Sequence, residues 1–186
     1  MEELTELRAA VRRLTDRQEI IELIQLRRAS EDARDWATLR SLYTTDVVLD
    51  HTAARDRRPG YEGVWNGIDE VMTLVSTGIE HHLVTHHMTS DYRIDVRGDE
   101  ATAFCTTLSV KADPGDGGGQ NVLIQQGWDV IELIRTTEGW RIRRVKPNVW
   151  KALVSPIAEP LDPEALKARR SELRGTYRGV EAVPAT

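Results

Sequence analysis

The sequence predicts an α+β fold in which helices come first and an antiparallel sheet follows. Before residue 80, apolar residues recur at helical spacing, as in Ile20, Ile21, Leu23, Ile24 and Leu26, and again in Ile68, Val71, Met72 and Val75. Beyond residue 82 the period changes to two, with Tyr92, Ile94 and Val96 alternating against Arg93, Asp95 and Arg97. Such segregation of helical and strand patterns belongs to the α+β class. The 186 residues suit one domain, since domains commonly run to roughly 100–200 residues.

Each element has its own signal. Thr15-Asp16-Arg17-Gln18 has the form of a capping box and predicts a helix start there, with residues 1–14 as a helical lead-in. That helix should run to about Asp32 or Arg34. A second, short helix over Trp36 to Tyr43 carries Leu39 and Leu42 inward, and Thr44-Thr45-Asp46 ends it. Val47 to Leu49 reads as a strand, followed by a polar, Arg-rich loop from Thr52 to Gly60 and a turn region from Gly63 to Gly67. A third helix begins at Ile68 and ends near Gly78. Gly98-Asp99 supplies a hairpin turn before a strand over Ala101 to Val110. Asp113 to Gly119 is too rich in Gly and Asp to hold a strand. Two more strands, Val122 to Ile134 and Trp140 to Val145, are joined at Thr137-Glu138-Gly139. The expected organisation is a lead-in (1–14), one domain (15–155) and a C-terminal arm (156–186) with a polar helix from about Asp162 to Leu173. A curved sheet wrapped on one side by helices encloses a cavity, the usual place for a small ligand.

Composition excludes several classes. No apolar run approaches the ~20 residues of a membrane span. The N-terminus lacks the basic start, apolar stretch and small-residue site of a secretory signal, which makes the cytoplasm the expected compartment. The lone cysteine, Cys105, lies in an apolar strand and reads as a buried, inert thiol. Net charge is −5, and the basic residues near the C-terminus (Lys167, Arg169, Arg170, Arg174, Arg178) are interleaved with Asp162, Glu164 and Glu172, a solvated helix face and not a nucleic-acid surface. The glycines of 115–119 are followed by a strand and by no Lys-Ser or Lys-Thr pair, so no phosphate loop is expected. His81, His82, His86 and His87 form adjacent pairs that point oppositely on a strand, and no carboxylate stands at ligand spacing; no metal site is expected.

Several segments then fall into one pattern: Asp16-Arg-Gln-Glu-Ile-Ile-Glu-Leu23, Asp32-Ala-Arg-Asp-Trp36, Leu39-Arg-Ser-Leu-Tyr-Thr-Thr-Asp46, Gly67-Ile-Asp-Glu-Val71, Thr85-His-His-Met88 and Gly139-Trp-Arg-Ile142. Together they resemble the SnoaL-like members of the nuclear transport factor 2-like superfamily. The resemblance implies a cone-shaped fold, with a curved antiparallel sheet wrapped by about three helices around an internal cavity. It also implies a cofactor-independent lyase of dehydratase type, or an isomerase, acting on a small hydrophobic cyclic metabolite. A polyketide cyclase, or a non-catalytic binding or assembly module of the same fold, is the alternative.

In the dehydratase and dehydrochlorinase branches an aspartate at the end of the first helix supports a histidine base on a long strand. Asp32 matches the aspartate, and the spacing to Asp91 and Ile94 selects His87 as the base. Where these families usually place Tyr or Lys, five residues before the aspartate, this chain has Arg27, suited to a carboxylate, enolate or phenolate oxygen. The residues alone also allow Asp32 to pair with Arg28 one helical turn away. Strand parity places His86, not His87, with Tyr92, Ile94 and Val96. Either that apolar set covers another surface, or a β-bulge between residues 87 and 92 reverses the phase. His87 is the preferred base and His86 the reserve. His51 is a candidate for the cavity mouth, Arg144 (with Lys146) for a basic group reaching the pocket, and Trp128 (with Trp65, Trp140 and Trp150) for an apolar wall. By the same resemblance, the outer sheet face is expected to pack against a second copy as a homodimer or higher homo-oligomer.

Overall fold

A computed structural model describes residues 1–53, 63–114, 120–157, 167–168 and 171, with the backbone alone at 114, 120 and 150–157. The first element, α1, is one unbroken helix over Glu2–Ala33, so the capping-box sequence at Thr15 is internal to it. Residues 2–14 are themselves good helix formers, and Glu2 and Glu3 suit the positive N-terminal end, which removes any need for a second start. α1 ends where Arg34 turns left-handed (φ 53°, ψ 35°) and its N–H reaches Ser30 O and Glu31 O. α2 (Trp36–Ser41) is capped by Asp35, whose side chain accepts from Thr38 N. α3 covers Ile68–Glu80.

The described residues contain six strands: β1 (Tyr43–Asp50), β2 (Val64–Asn66), β3 (Val84–Arg97), β4 (Glu100–Pro114), β5 (Gln120–Thr136) and β6 (Gly139–Ile157). They form one sheet in the order β2-β1-β6-β5-β4-β3. All neighbours are antiparallel except β1 and β6, which run parallel, so the sheet is mixed where a purely antiparallel one was expected. The region read as a turn contains β2, held by pairing of Val48, Leu49 and Asp50 with Asn66, Trp65 and Val64. Three residues are too few to show a period. β6 continues beyond the expected Val145, through Pro156 to Ile157, because β5 remains opposite it throughout.

Register irregularities bend the sheet into a cone. β3 and β4 shift between Ser90 and Arg93, where Asp91 adopts φ 54°. β5 and β6 shift at Gln126/Gly127 and again at Glu132/Leu133. At the first of these only glycine fits, since a Cβ on Gly127 would lie 2.1 Å from Asn148 O. The concave face takes the apolar stripe of α1 (Ile20, Leu23, Ile24) against Ala103, Ile131 and Ile142. Each such large side chain contributes about 1.5–3 kcal/mol on burial. Cys105 is buried in this layer, and burial pushes its thiol up to about 12.

The C-terminal arm and its basic cluster lie outside the described residues apart from 167, 168 and 171, which are helical. So do most of the Arg-rich loop, residues 115–119 and the Trp150 side chain. Among the described residues no helix is long and apolar enough to cross a membrane.

Candidate active site

The last turn of α1 and the start of β3 meet through a buried arginine. Arg34 Nη1 donates to Asp32 O and Thr85 Oγ1, both at 2.8 Å, and its Nη2 donates to Ile79 O and His82 O at 3.1 and 3.0 Å. One side chain thereby fastens the ends of α1 and α3 to the first residues of β3.

Among the described residues β3 is an edge strand, paired with β4 on one side, and the backbone N–H of His87 is directed to its open side. Asp32 takes its place: Oδ2 accepts from His87 N at 2.8 Å, and Oδ1 lies 2.6 Å from His87 Nδ1. A carboxylate accepts only, so Nδ1 carries the proton and Nε2 keeps its lone pair. Burial lowers the His87 pKa below its ordinary value, against the raising effect of the Asp32 hydrogen bond. The ring is therefore neutral and basic at pH 7. Arg28 does not pair with Asp32; it binds Glu31 and Asp129.

The bulge at Asp91 resolves the parity conflict. Thr85, His87 and Thr89 share the inner face with Tyr92, Ile94 and Val96, because the extra residue reverses the alternation between them. Thr106 Oγ1 donates to Asp91 Oδ2 at 2.7 Å and holds the left-handed residue in place. His86 points outward with a 64% exposed side chain, its Nδ1 3.8 Å from Asp32 Oδ2, which is beyond hydrogen-bond reach.

His87 opens onto a cavity of about 180 Å³. On this measure one water needs ~15 Å³, so the space suits a small organic molecule. Leu49, Leu74, Val75, Ile79 and Val149 form apolar walls, and Lys111 stands in the lining as well. The polar side includes a row fixed by register: His87 is opposite Ser109 on β4, and Ser109 is opposite Gln125 on β5. Directly opposed residues have Cβ atoms about 5 Å apart.

Beneath lies a buried charged cluster. Arg27 Nε donates to Tyr43 Oη at 2.8 Å and sits 3.3 Å from Glu31 Oε1. Asp129 Oδ2 accepts from Arg27 Nη1 at 3.0 Å and from Arg28 Nη2 at 2.5 Å, and Glu31 Oε2 accepts from Arg28 Nη1 at 2.8 Å. Two cations face two anions. Burial alone would raise the Glu31 carboxyl, but Arg27 and Arg28 hold it down, at about 2. Burial alone would lower Arg27, yet Tyr43, Glu31 and Asp129 hold it well above its usual value.

The structure thus brings Asp32, His87, Arg27 and His51 to the site, His51 lining the pocket with its ring edge-on to Trp65 at 5.3 Å. Arg27 differs from expectation in its occupation, because Tyr43, Glu31 and Asp129 already take its donors. Arg144 is not in the pocket. The irregularity at Glu132/Leu133 sets it opposite Glu132, and it binds Asp50 at 2.6 Å. Trp128 is also outside, since it alternates with Asp129 and faces away from the cavity opposite Thr106. Asp129, Glu31, Ser109 and Gln125 escaped sequence reading. Only the helical spacing of Arg27, Arg28 and Glu31 hinted at any of them. His81, His82 and Asp113 correct another expectation: a carboxylate does join the first histidine pair, with ligand-type atoms within 4.8 Å of one another. His82 Nδ1 is hydrogen-bonded to Asp113, and burial lowers its pKa to about 4.

Comparison with known proteins agrees with this architecture. The chain is 27% identical over 146 residues to the uncharacterized protein Rv2910c of Mycobacterium tuberculosis, covering 78% of this chain and 93% of that one. It superposes on a hexachlorocyclohexane dehydrochlorinase, LinA-type3 from Novosphingobium barchaimii, with TM-score 0.65 and 17% identity over 83% of this chain and 99% of the other. An NTF2-like protein with a cystatin-like fold from Novosphingobium aromaticivorans matches with TM-score 0.59 and 24% identity over 79% and 90%. The SnoaL-like domain model matches residues 12–146, the span that holds α1's inner stripe, the Asp32–His87 pair and the pocket lining apart from Pro147 and Val149, and the chain belongs to that SnoaL-like family.

Proposed function

We propose that this protein is a cofactor-independent lyase that eliminates water from a small, neutral, cyclic hydroxy-carbonyl compound. The observation that carries the reading is the Asp32–His87 pair opening onto a mainly apolar pocket. His87 Nε2 removes a carbon-bound proton next to the carbonyl. Asp32 holds the Nδ1–H tautomer and stabilises the imidazolium that forms. The enolate electrons form the carbon–carbon double bond as the carbon–oxygen bond of the hydroxyl breaks, and the imidazolium returns its proton to the departing oxygen as water. Ser109 and Gln125, in line with His87 across three strands, are placed to hydrogen-bond the substrate oxygen. Arg27 and Arg28 act differently. Their charges are already matched by Glu31 and Asp129, so they set the floor of the pocket and favour a neutral substrate over an anion.

The reading is tested by identifying molecules retained by the purified protein by mass spectrometry and incubating them with fresh protein. The expected product is lighter by one water, and His87→Ala should abolish its formation while leaving the fold intact. Unchanged turnover in His87→Ala would contradict the assignment. Retained molecules that are never altered would instead favour a binding module of the same fold.

A further inference from the structure

The first half of α1 stands clear of the cone. Residues 1–15 are all exposed except the half-buried Ala10. Within them Leu4, Leu7, Val11 and Leu14 are 52%, 60%, 54% and 68% exposed. Their spacing of three, four and three is that of alternating a and d positions in a coiled coil. At ~100° per residue they form one stripe on the side of the helix opposite Ile20, Ile24 and Arg27, which face the cone. The chain's own sheet therefore does not reach them. A helical end this short with a bare apolar stripe is marginal alone in water. The family match begins only at residue 12, so most of the stripe precedes the shared domain.

We infer that this stripe is a homodimer contact, in which α1 of one copy packs in parallel, in register, against α1 of a second copy. Charge selects the occupant and its direction. With Leu4 and Val11 at a and Leu7 and Leu14 at d, Glu3 occupies g and Arg8 the following e. In a parallel pair Glu3 of each copy meets Arg8 of the other. Among the described residues neither has an ion pair within its own chain, and on its own helix Arg8 is one turn from Arg12, a like charge. An antiparallel pair would set Arg8 against Arg8. It would also need Arg17 for Glu3, and Arg17 Nη1 is already bonded to Ile94 O at 2.9 Å. Val11 at one of the two a positions, with leucine at both d positions, favours two strands. This contact lies on α1 and is distinct from any packing of the outer sheet face.

The test uses the full chain carrying Leu7→Cys, at a d position, or Ala9→Cys, on the outward f position, under mild oxidation. Leu7→Cys should crosslink mostly to a species of twice the 21.0 kDa chain mass, while Ala9→Cys stays single. Adding Arg8→Glu to Leu7→Cys should reduce the crosslink, and adding Glu3→Arg with it should restore the yield. The inference is overturned if Leu7→Cys crosslinks no more than Ala9→Cys, whether the stripe is then bare, covered by the chain's own C-terminal residues, or taken up by anionic lipid vesicles. A crosslink between Leu4→Cys and Leu14→Cys in a mixture of the two would equally overturn the parallel arrangement.

Discussion

Asp32 is doubly engaged, and its two bonds have different consequences. One oxygen satisfies the His87 backbone N–H at the sheet edge, and the other holds the ring. Burial lowers the His87 pKa, so the acid limb of a kcat/KM profile should lie below the ~6.5 of a free histidine. Asp32 opposes that shift. Asp32→Asn should therefore lower the rate and move the acid limb to still lower pH; a limb that moves upward would contradict the pairing. Asp129 is the second residue on which much depends, since it faces two buried guanidinium groups at once. Asp129→Ala leaves them facing only Glu31 and should cost about 3–5 kcal/mol in urea unfolding. A loss under 1 kcal/mol would show that the cluster is not held as described.

At the scale of elements, the bulge in β3 decides which histidine enters the cavity. Asp91 at φ 54° is tolerable for Asp and poor for a β-branched residue. Asp91→Val should destabilise by about 1–3 kcal/mol, whereas Asp91→Gly should cost less, as measured by thermal unfolding. Equal effects would mean that the left-handed turn is not maintained. Much of this was legible in the chain. The alternation of Tyr92, Ile94 and Val96 against the position of His87 required either a bulge or another surface, and the helical stripe of Ile20, Leu23 and Ile24 marked the inner face of α1. The three-residue β2 was not legible, because a strand so short has no period and forms by pairing with β1. Nor was the site at Asp129. Its inward direction depends on the irregularity at Gly127, and its partners lie about a hundred residues earlier in the chain. Trp128 and Arg144 lie outside the pocket lining, and which face of β5 and β6 they take depends on the register shifts at Gln126/Gly127 and Glu132/Leu133, which the sequence does not mark.

For the whole molecule, pH should act on stability in one direction on the acid side of neutrality. Glu31 is held near 2 against an ordinary value of ~4.3, so its contribution is complete above that value and is lost as pH falls towards 2. The difference corresponds to ~3 kcal/mol. His87, with a lowered pKa, also contributes most above ~6.5 and loses its share as pH falls below that. Urea midpoints should therefore decline steadily from neutral pH into acid, and Glu31→Gln should flatten the lower part of the decline. On the proposed function, the cone holds a neutral base and its carboxylate beside a cavity with apolar walls and one polar side. The most direct measurement of that role is deuterium uptake from D2O into the carbon next to the carbonyl of a retained or added cyclic hydroxy ketone. The wild-type protein should promote exchange, and His87→Gln should slow it by ~10²–10⁴-fold while keeping the same thermal midpoint; equal exchange by both proteins would contradict His87 as the base.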